Sequence, residues 1–223
     1  QHLLPSPLPY PCIYALELTP MCNHRCTVCS NVFAHKQQHT PTPFSAAGWQ
    51  QVLERIAPHA QRLKLTGGEP TCHPQFTQII ATVDQQAIPF TLFTNGNWHH
   101  PEEVLEVLQQ SSSCLGLLVS LHGADAKTHD AFTGLPGSFA SVCRNIQQAV
   151  QAGLTVHTST VLTRFNHIQI EPLLHLAQSL GATCSVFNRY IGRSIPALEL
   201  PADMLTRTIV TIETLAATGF CTR

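Results

Sequence analysis

Short apolar runs alternate with amphipathic segments along the whole 223-residue chain. The apolar runs have the length and composition of strands, and the segments between them carry the apolar spacing of surface helices. This alternation predicts six βα units, an α/β fold and a parallel sheet. The predicted strands cover residues 13–19, 62–66, 90–94, 115–121, 155–162 and 183–189.

Helix signals lie between these strands. Ser45 is a good N-cap for the helix that follows it, and Pro101 with two glutamates makes a favourable first turn. Two later helices are predicted, one from Asn166 to a stop at Gly181 and one over residues 205–215. Periodicity leaves an open doubly wound sheet and a partial barrel as alternatives, and in both folds functional groups gather at the carboxyl ends of the strands.

Composition narrows the range of partners. Charged residues make up 11% of the chain, far below the roughly 25% of an average soluble domain, so we expect one face to be covered. The formal net charge of -1 gives no strong field for nucleic acid or anionic lipid, and neither partner is predicted. The longest apolar runs, such as residues 114–119, are too short to span a bilayer, which favours a cytoplasmic location.

Three of the nine cysteines, Cys22, Cys26 and Cys29, lie directly after the first predicted strand with the spacing C-x3-C-x2-C. Three soft ligands suit either an iron–sulfur cluster or zinc. A structural zinc site needs a fourth ligand, which His24 or a distant cysteine would supply, so the spacing alone leaves both metals open. We assign no metal to the other histidines in loop-like surroundings, namely His35, His39, His99 and His100.

The cysteine spacing and its position resemble the radical S-adenosylmethionine superfamily. This resemblance implies a partial (β/α)6 TIM-like barrel in which the three cysteines bind a 4Fe-4S cluster, while the fourth iron binds the amino and carboxylate groups of S-adenosylmethionine. One departure is Val28, where the family usually has an aromatic residue. The implied organisation is an extended lead-in over residues 1–11, a core barrel over 12–218, and the start of an auxiliary-cluster domain at 219–223.

The second predicted strand is followed by Gly67, Gly68, Glu69 and Pro70, which match the family's GGEP motif for the methionyl ammonium of the cofactor. Glycines allow close approach of the backbone, so we expect a Cβ at Gly68 to block the cofactor. Glu69 either adds charge or fixes the loop. Taken alone, the four residues are also an ordinary turn.

Three further positions are assigned to the cofactor by the same resemblance: Asn95, Ser120 and Leu162, which lie near the ends of strands three, four and five. His122 is either functional or a hydrogen-bonded loop histidine. Many relatives have arginine at the position of Thr133, so Arg144 or a backbone amide is left to meet the cofactor carboxylate.

The run from residue 128 to residue 146 resembles the linker and fourth helix of the subgroup with SPASM or twitch domains. It implies that a 5'-deoxyadenosyl radical abstracts hydrogen from a ribosomally made peptide, with a flavodoxin or ferredoxin as electron donor. The alternatives are a small-molecule substrate in cofactor biosynthesis, a glycyl-radical activase, and a non-enzymatic zinc-binding interaction module.

The remaining cysteines receive two interpretations. Most of them, Cys12, Cys72, Cys114, Cys143 and Cys184, resemble small core residues. Cys221 lies where SPASM and twitch proteins begin the cysteines of their auxiliary clusters, so we expect the protein to continue past Arg223 into a segment that holds one or more such clusters. The alternative interpretation is that Cys221 is a reactive or buried thiol at a natural C-terminus.

Overall fold

The computed structural model describes residues 10–29, 31, 42–191 and 195–222, and the sheet in this part has six parallel strands. The lead-in up to residue 9 and the histidines at 35 and 39 lie outside the described residues. The six predicted strands are confirmed to within two residues at each end. They are β1 (Ile13–Glu17), β2 (Arg62–Thr66), β3 (Phe90–Thr94), β4 (Cys114–Ser120), β5 (Val156–Leu162) and β6 (Cys184–Arg189).

The order of the strands decides between the two predicted folds. The strands pair in sequence order from β1 to β6, without the reversal that defines a doubly wound sheet. Because parallel crossovers are right-handed, a sheet that grows in one direction keeps its connecting helices on one face. The fold is therefore the partial (β/α)6 barrel, and we call the sheet face opposite the helices the inner face.

Seven α-helices lie in the described part of the chain: α1 (Ala46–Ile56), α2 (Phe76–Gln85), α3 (Pro101–Gln110), α4 (Ala126–Thr133), α5 (Ser138–Gln151), α6 (Ile170–Ser179) and α7 (Ala202–Ala217). Ser45 caps α1 as predicted, because its hydroxyl accepts a hydrogen bond from the amide of Gly48. The helix predicted to start at Asn166 begins instead at Ile170, after one 3-10 turn. The Asn166 side chain bonds the loop around Thr163 and makes no cap.

The main core lies between the sheet and the helices. Alternate strand residues are fully buried there, including Leu63 and Leu65 of β2 and Leu92 of β3, which pack with Leu53 of α1 and Ile79 of α2. The residues between them face the inner side and are more exposed. None of the described helices combines the length and apolarity needed to cross a membrane.

Candidate active site

The three cysteines lie on a segment that is bonded to the loop after β2. We call residues 18–29 the cysteine loop and residues 67–70 the glycine loop. The amide of Leu18 donates to the carbonyl of Thr66 over 2.8 Å, the amide of Gly68 to that of Thr19 over 2.7 Å, and the amide of Glu69 to that of Met21 over 2.7 Å. The two sequence motifs thus form one structural unit at the carboxyl end of the sheet.

The three thiols are near one another but differ in environment. Burial raises the pKa of Cys22 to about 11, with smaller contributions from Glu69 and Cys29, and it raises the pKa of Cys26 to about 12, with smaller contributions from Cys22 and Cys29. Cys29 is exposed. Among the described residues, no three side chains of His, Cys, Asp or Glu already converge as metal ligands.

The donor set nevertheless fits a group that takes thiolates. Cys22 Sγ accepts from the amide of His24 at 3.4 Å and from the side-chain amide of Asn95 at 3.7 Å, and such bonds favour the charged sulfur. Among the described residues, His24 does not join the thiols as the fourth ligand that zinc requires. Its ring is buried, its Nε2 has no hydrogen-bond partner in the described part of the chain, and burial lowers its pKa to about 4.

Glu69 fixes the glycine loop, one of the two roles that the sequence allowed. Its fully buried carboxylate accepts from the amide and hydroxyl of Thr71, from the hydroxyl of Thr94 at 2.8 Å and from the amide of Asn95 at 2.6 Å. Burial raises its pKa, and these four hydrogen bonds oppose that shift. Pro70, which is also buried, opens the 3-10 turn that follows.

The two glycines are required by contacts within the protein itself, which adds a second reason to the one expected for Gly68. A Cβ at Gly68 would lie 2.2 Å from the carbonyl oxygen of Met21, and one at Gly67 would lie 2.5 Å from that of Thr19. Gly67 also has a φ of 139°, which disfavours any other residue. A larger residue at position 68 therefore displaces the cysteine loop before it reaches any cofactor.

Asn95 connects the end of β3 to the cysteine loop. Its side-chain amide donates to Asn23 Oδ1 at 2.7 Å as well as to Cys22, and its Oδ1 accepts from the amide of Asn97 at 2.8 Å. The side chain of Asn23 in turn donates to the carbonyl of Asn97 at 2.6 Å. The assignment of Asn95 to the site therefore has a structural basis in its contact with Cys22.

The other two sequence-predicted positions lie farther along the sheet. Ser120 ends β4, half-buried, and pairs in register with Ser159 of β5. The side chain of Leu162 packs outward with Ile170 and Leu174, and it borders a cavity of about 470 Å³ at the ends of β5 and β6. The structure places both near strand ends but shows no contact between them and the cysteine loop.

The end of α4 is a contact of the cysteine loop that sequence reasoning missed. The amide of Arg25 donates to the carbonyl of Thr133 at 2.9 Å, and the amide of Thr27 donates to that of Phe132 at 3.2 Å. Thr133 is itself buried, with its hydroxyl 2.8 Å from that of Ser138. The signal in the sequence was Gly134, whose left-handed φ of 67° ends α4 where a Cβ would lie 2.7 Å from the carbonyl oxygen of Arg25.

The structure also shows where Arg144 and His122 lie. Arg144 is exposed on α5 and bonds Ser141, away from the buried side of that helix. His122 is a buried, hydrogen-bonded histidine, since its Nδ1 accepts from the amide of Val161 at 3.3 Å.

The cysteines outside the cysteine loop differ in burial. Cys184 is buried as predicted. Cys72 is wrongly predicted as a core residue: it is half-buried and lines a groove of about 470 Å³ that Cys22 also lines. Its position directly after the glycine loop was the available signal.

Comparison with known proteins gives relatives along most of the chain. The mycofactocin maturase MftC of Mycobacterium ulcerans (strain Agy99) is 30% identical over 190 residues, which cover 83% of this chain and 48% of MftC. The AdoMet-dependent heme synthase of Methanosarcina barkeri (strain Fusaro / DSM 804) is 30% identical over 173 residues, 77% of this chain and 48% of the synthase. The chain thus spans about half the length of the curated relatives it matches.

Solved structures share the fold. Streptococcus suis SuiB bound to S-adenosylmethionine superposes with a TM-score of 0.81 at 16% identity, over 96% of this chain and 50% of SuiB. Residues 16–177 match the family model described as the Radical SAM superfamily, and these residues include the cysteine loop, the glycine loop, the end of β1 and all of strands β2 to β5. The chain therefore belongs to the radical SAM superfamily, a family of enzymes built on a 4Fe-4S cluster and S-adenosylmethionine.

Proposed function

We propose that this protein is an enzyme that holds a 4Fe-4S cluster through Cys22, Cys26 and Cys29 and cleaves S-adenosylmethionine reductively. When bound, the cluster supplies the electron for this cleavage, which yields the 5'-deoxyadenosyl radical that takes hydrogen from the substrate. The observation that carries the proposal is the backbone bonding of the cysteine loop to the glycine loop through Gly68 and Glu69. It puts the proposed cluster ligands beside the motif proposed for the cofactor.

The residues of this chain have separate tasks in that proposal. Gly67, Gly68 and Pro70 shape the loop for the methionyl end of the cofactor. Glu69 stabilises that shape through the hydrogen bonds of its buried carboxylate. Asn95 donates to Cys22 and so favours its thiolate form. We assign Ser120 to a remaining part of the cofactor because it occupies the next strand end along the sheet, and we assign Leu162 through its backbone alone, since its side chain packs outward against α6.

A ribosomally made peptide is the substrate we propose. MftC is named a maturase, and SuiB has been solved bound to its precursor peptide SuiA. The match to heme synthases favours a small-molecule substrate as the second candidate. The two candidates differ in product, since only a peptide substrate gives a modified peptide in mass spectrometry.

Three finer features complete the proposal. The carbonyl of Cys221 accepts a hydrogen bond from the amide of Ser185 of β6, so residues 221–222 lie along the sheet edge, and we propose that a following segment carries auxiliary clusters there. A flavodoxin or ferredoxin is the proposed electron donor. Nine free thiols suit a reducing compartment, and we propose the cytoplasm.

The direct test is anaerobic reconstitution of the native full-length protein with iron and sulfide, followed by iron counting and an assay for 5'-deoxyadenosine with dithionite. We expect about four irons for the radical cluster alone and about eight or more if auxiliary clusters are present. Replacing Cys22, Cys26 and Cys29 with alanine removes four of these irons and all cleavage. Cys143→Ala is the matched control, because Cys143 packs on the helix side of the sheet.

Wild-type iron content in the triple variant, with any auxiliary ligands also replaced, refutes the cluster assignment. A full-length protein that binds about four irons refutes the auxiliary clusters but leaves the radical cluster standing.

A further inference from the structure

Lys64 is a cation on the inner face of the sheet. It lies in β2 between Leu63 and Leu65, both of which are fully buried against the helices, so its side chain extends to the opposite side and is exposed. The register places it beside Ala15 of β1 and Thr91 of β3. Neither neighbour is charged, so neither competes with a ligand for the charge of Lys64.

The ammonium of Lys64 is held in place without a counter-ion. Its Nζ lies 5.8 Å from the centroid of the Phe93 ring, within the range of a cation–π contact. In the described part of the chain it forms no ion pair, although Glu17 of β1 and Arg62 of β2 are charged residues on the same face. Three N–H donors of a positioned ammonium are therefore available to an anionic group.

The position of Lys64 relates it to the proposed radical chemistry. It lies three residues before Gly67, the first residue after β2, which is about 10 Å at the rise of a parallel strand. A group bound to Lys64 would lie on the inner face beneath the glycine loop. Phe93 would supply an apolar surface next to it.

A second polar contact lies across the sheet. The side-chain amide of Asn188 in β6 donates to Ser159 Oγ in β5 at 3.1 Å, and the register shows that both residues face inward with Val161. The Asn188 carbonyl and the Ser159 hydroxyl proton can bond a peptide main chain. From β2 to β5 is three strand spacings, about 14 Å, which an extended peptide spans with about four residues.

We propose that Lys64 is the specificity-determining contact for an acidic side chain of an extended peptide substrate that crosses the inner face toward Ser159 and Asn188. This inference rests on the proposed function and adds the substrate class to it. The charge of Lys64 selects an acidic residue and disfavours a basic one. Glu17 lies in β1 two residues beyond Ala15, the register partner of Lys64. Its negative charge repels an acidic residue, so it limits how far that residue can lie from Lys64 toward β1.

The test uses the reconstituted full-length protein and pools of N-acetylated, C-amidated heptapeptides in which one position is fixed as Glu, Gln or Lys. The readouts are anisotropy of fluorescein-labelled pools and the yield of modified peptide by mass spectrometry. We expect the wild type to prefer Glu pools over Lys pools by about fivefold or more, the scale of a single partly exposed charge contact. The ratio between pools is the measure, so changes in total activity cancel.

Reversing the charge of Lys64 distinguishes a change in substrate recognition from a general loss of activity. Lys64→Glu is expected to invert the preference toward Lys pools, and Lys64→Gln to abolish it. Lys127→Glu is the matched control, because Lys127 is an exposed residue on α4. It is expected to retain the wild-type ratio.

Each other outcome has a defined meaning. Equal preference for Glu and Lys pools by a wild type that cleaves the cofactor and modifies peptides overturns the role of Lys64 and leaves the proposed function intact. A loss of S-adenosylmethionine affinity in Lys64→Gln, with an unchanged pool ratio, assigns Lys64 to the cofactor carboxylate and also overturns it. A reconstituted wild type that binds no cluster and forms no 5'-deoxyadenosine overturns the proposed function itself.

Discussion

The amide of Glu69 donates a hydrogen bond of 2.7 Å to the carbonyl of Met21, so the residue before the first cysteine is held by the glycine loop. Gly68 lies against the same carbonyl group, where a Cβ would be only 2.2 Å from the oxygen. A methyl group has no room there, because the neighbouring atoms belong to the backbone. The Met21–Glu69 hydrogen bond therefore requires a residue without a side chain at position 68.

We expect Gly68→Ala to reduce iron incorporation by several-fold, and not only the affinity for S-adenosylmethionine, because the new Cβ displaces Met21 and with it Cys22. The measurement is iron and sulfide per chain after anaerobic reconstitution. Gly48→Ala in α1 is the control, since its Cβ would meet Phe44 at an ordinary 3.4 Å. Full iron content together with weakened cofactor binding in Gly68→Ala would show that the loop touches the cofactor alone.

A second prediction concerns the carboxylate of Glu69. Its two oxygens accept hydrogen bonds from donors on Thr71, Thr94 and Asn95, and a glutamine would turn an N–H group toward at least one of them. Glu69→Gln should lower the free energy of unfolding by about 1–3 kcal/mol, the cost of a buried unsatisfied donor. The melting temperature of the anaerobic protein is the measurement.

Glu54→Gln is the matched control for this substitution, because Glu54 is exposed on α1 and, within the described part of the chain, accepts only from Gln50 of the same helix. We expect its melting temperature to stay within about 1 °C of the wild type, since surface changes are small. An equal melting temperature for Glu69→Gln would mean that the carboxylate is not needed as a charged acceptor.

The strands and both loops could be predicted from the sequence because their signals are local. A short apolar run, a cysteine spacing and a Gly-Gly-Glu-Pro tetrapeptide each lie within a few neighbouring residues. The hydrogen bonds of Glu69 could not be predicted from the sequence, because Thr94 and Asn95 come close to Glu69 only through the pairing of β2 with β3. The contact between Gly68 and Met21 could not be predicted for the same reason, because these residues are 47 positions apart in the sequence (68 minus 21).

The pairing of α4 with the cysteine loop gives a third prediction. Gly134 and Gly153 both have left-handed φ angles, 67° and 82°, but only Gly134 lies where a Cβ would approach Arg25 O, at 2.7 Å. Both alanine variants carry the same kind of backbone strain, about 1–2 kcal/mol for an L-residue in the left-handed region. We therefore expect Gly134→Ala to lose iron relative to Gly153→Ala.

Iron per chain and the melting temperature should be measured on both glycine variants. The expected pattern is a similar small fall in melting temperature and a fall in iron content confined to Gly134→Ala. Equal iron contents would show that the cysteine loop keeps its shape without support from α4.

The last prediction concerns His129, which is fully buried in α4 and whose Nε2 has no hydrogen-bond partner among the described residues. Burial lowers its pKa to about 4, the neighbouring His24 lowers it further, and Asp130 opposes the shift. His122, whose amide donates to His129 Nδ1 at 3.2 Å, is also held neutral by burial. The folded protein thus contains three neutral histidines that bind protons more readily once the chain unfolds.

The sign of the pH dependence follows from these shifts. Between pH 6.5 and about 4 the unfolded chain binds more protons than the folded one, so stability falls as the pH is lowered, by up to about 1.4 kcal/mol per pH unit for each histidine. We expect His129→Gln, which can still accept from His122, to show a smaller loss of melting temperature between pH 7.0 and pH 5.5 than the wild type. His99→Gln is the control, since His99 is exposed, and it should follow the wild-type profile. If His129→Gln follows that profile as well, His129 is not a source of the acid sensitivity, and His24 or His122 must account for any that is observed.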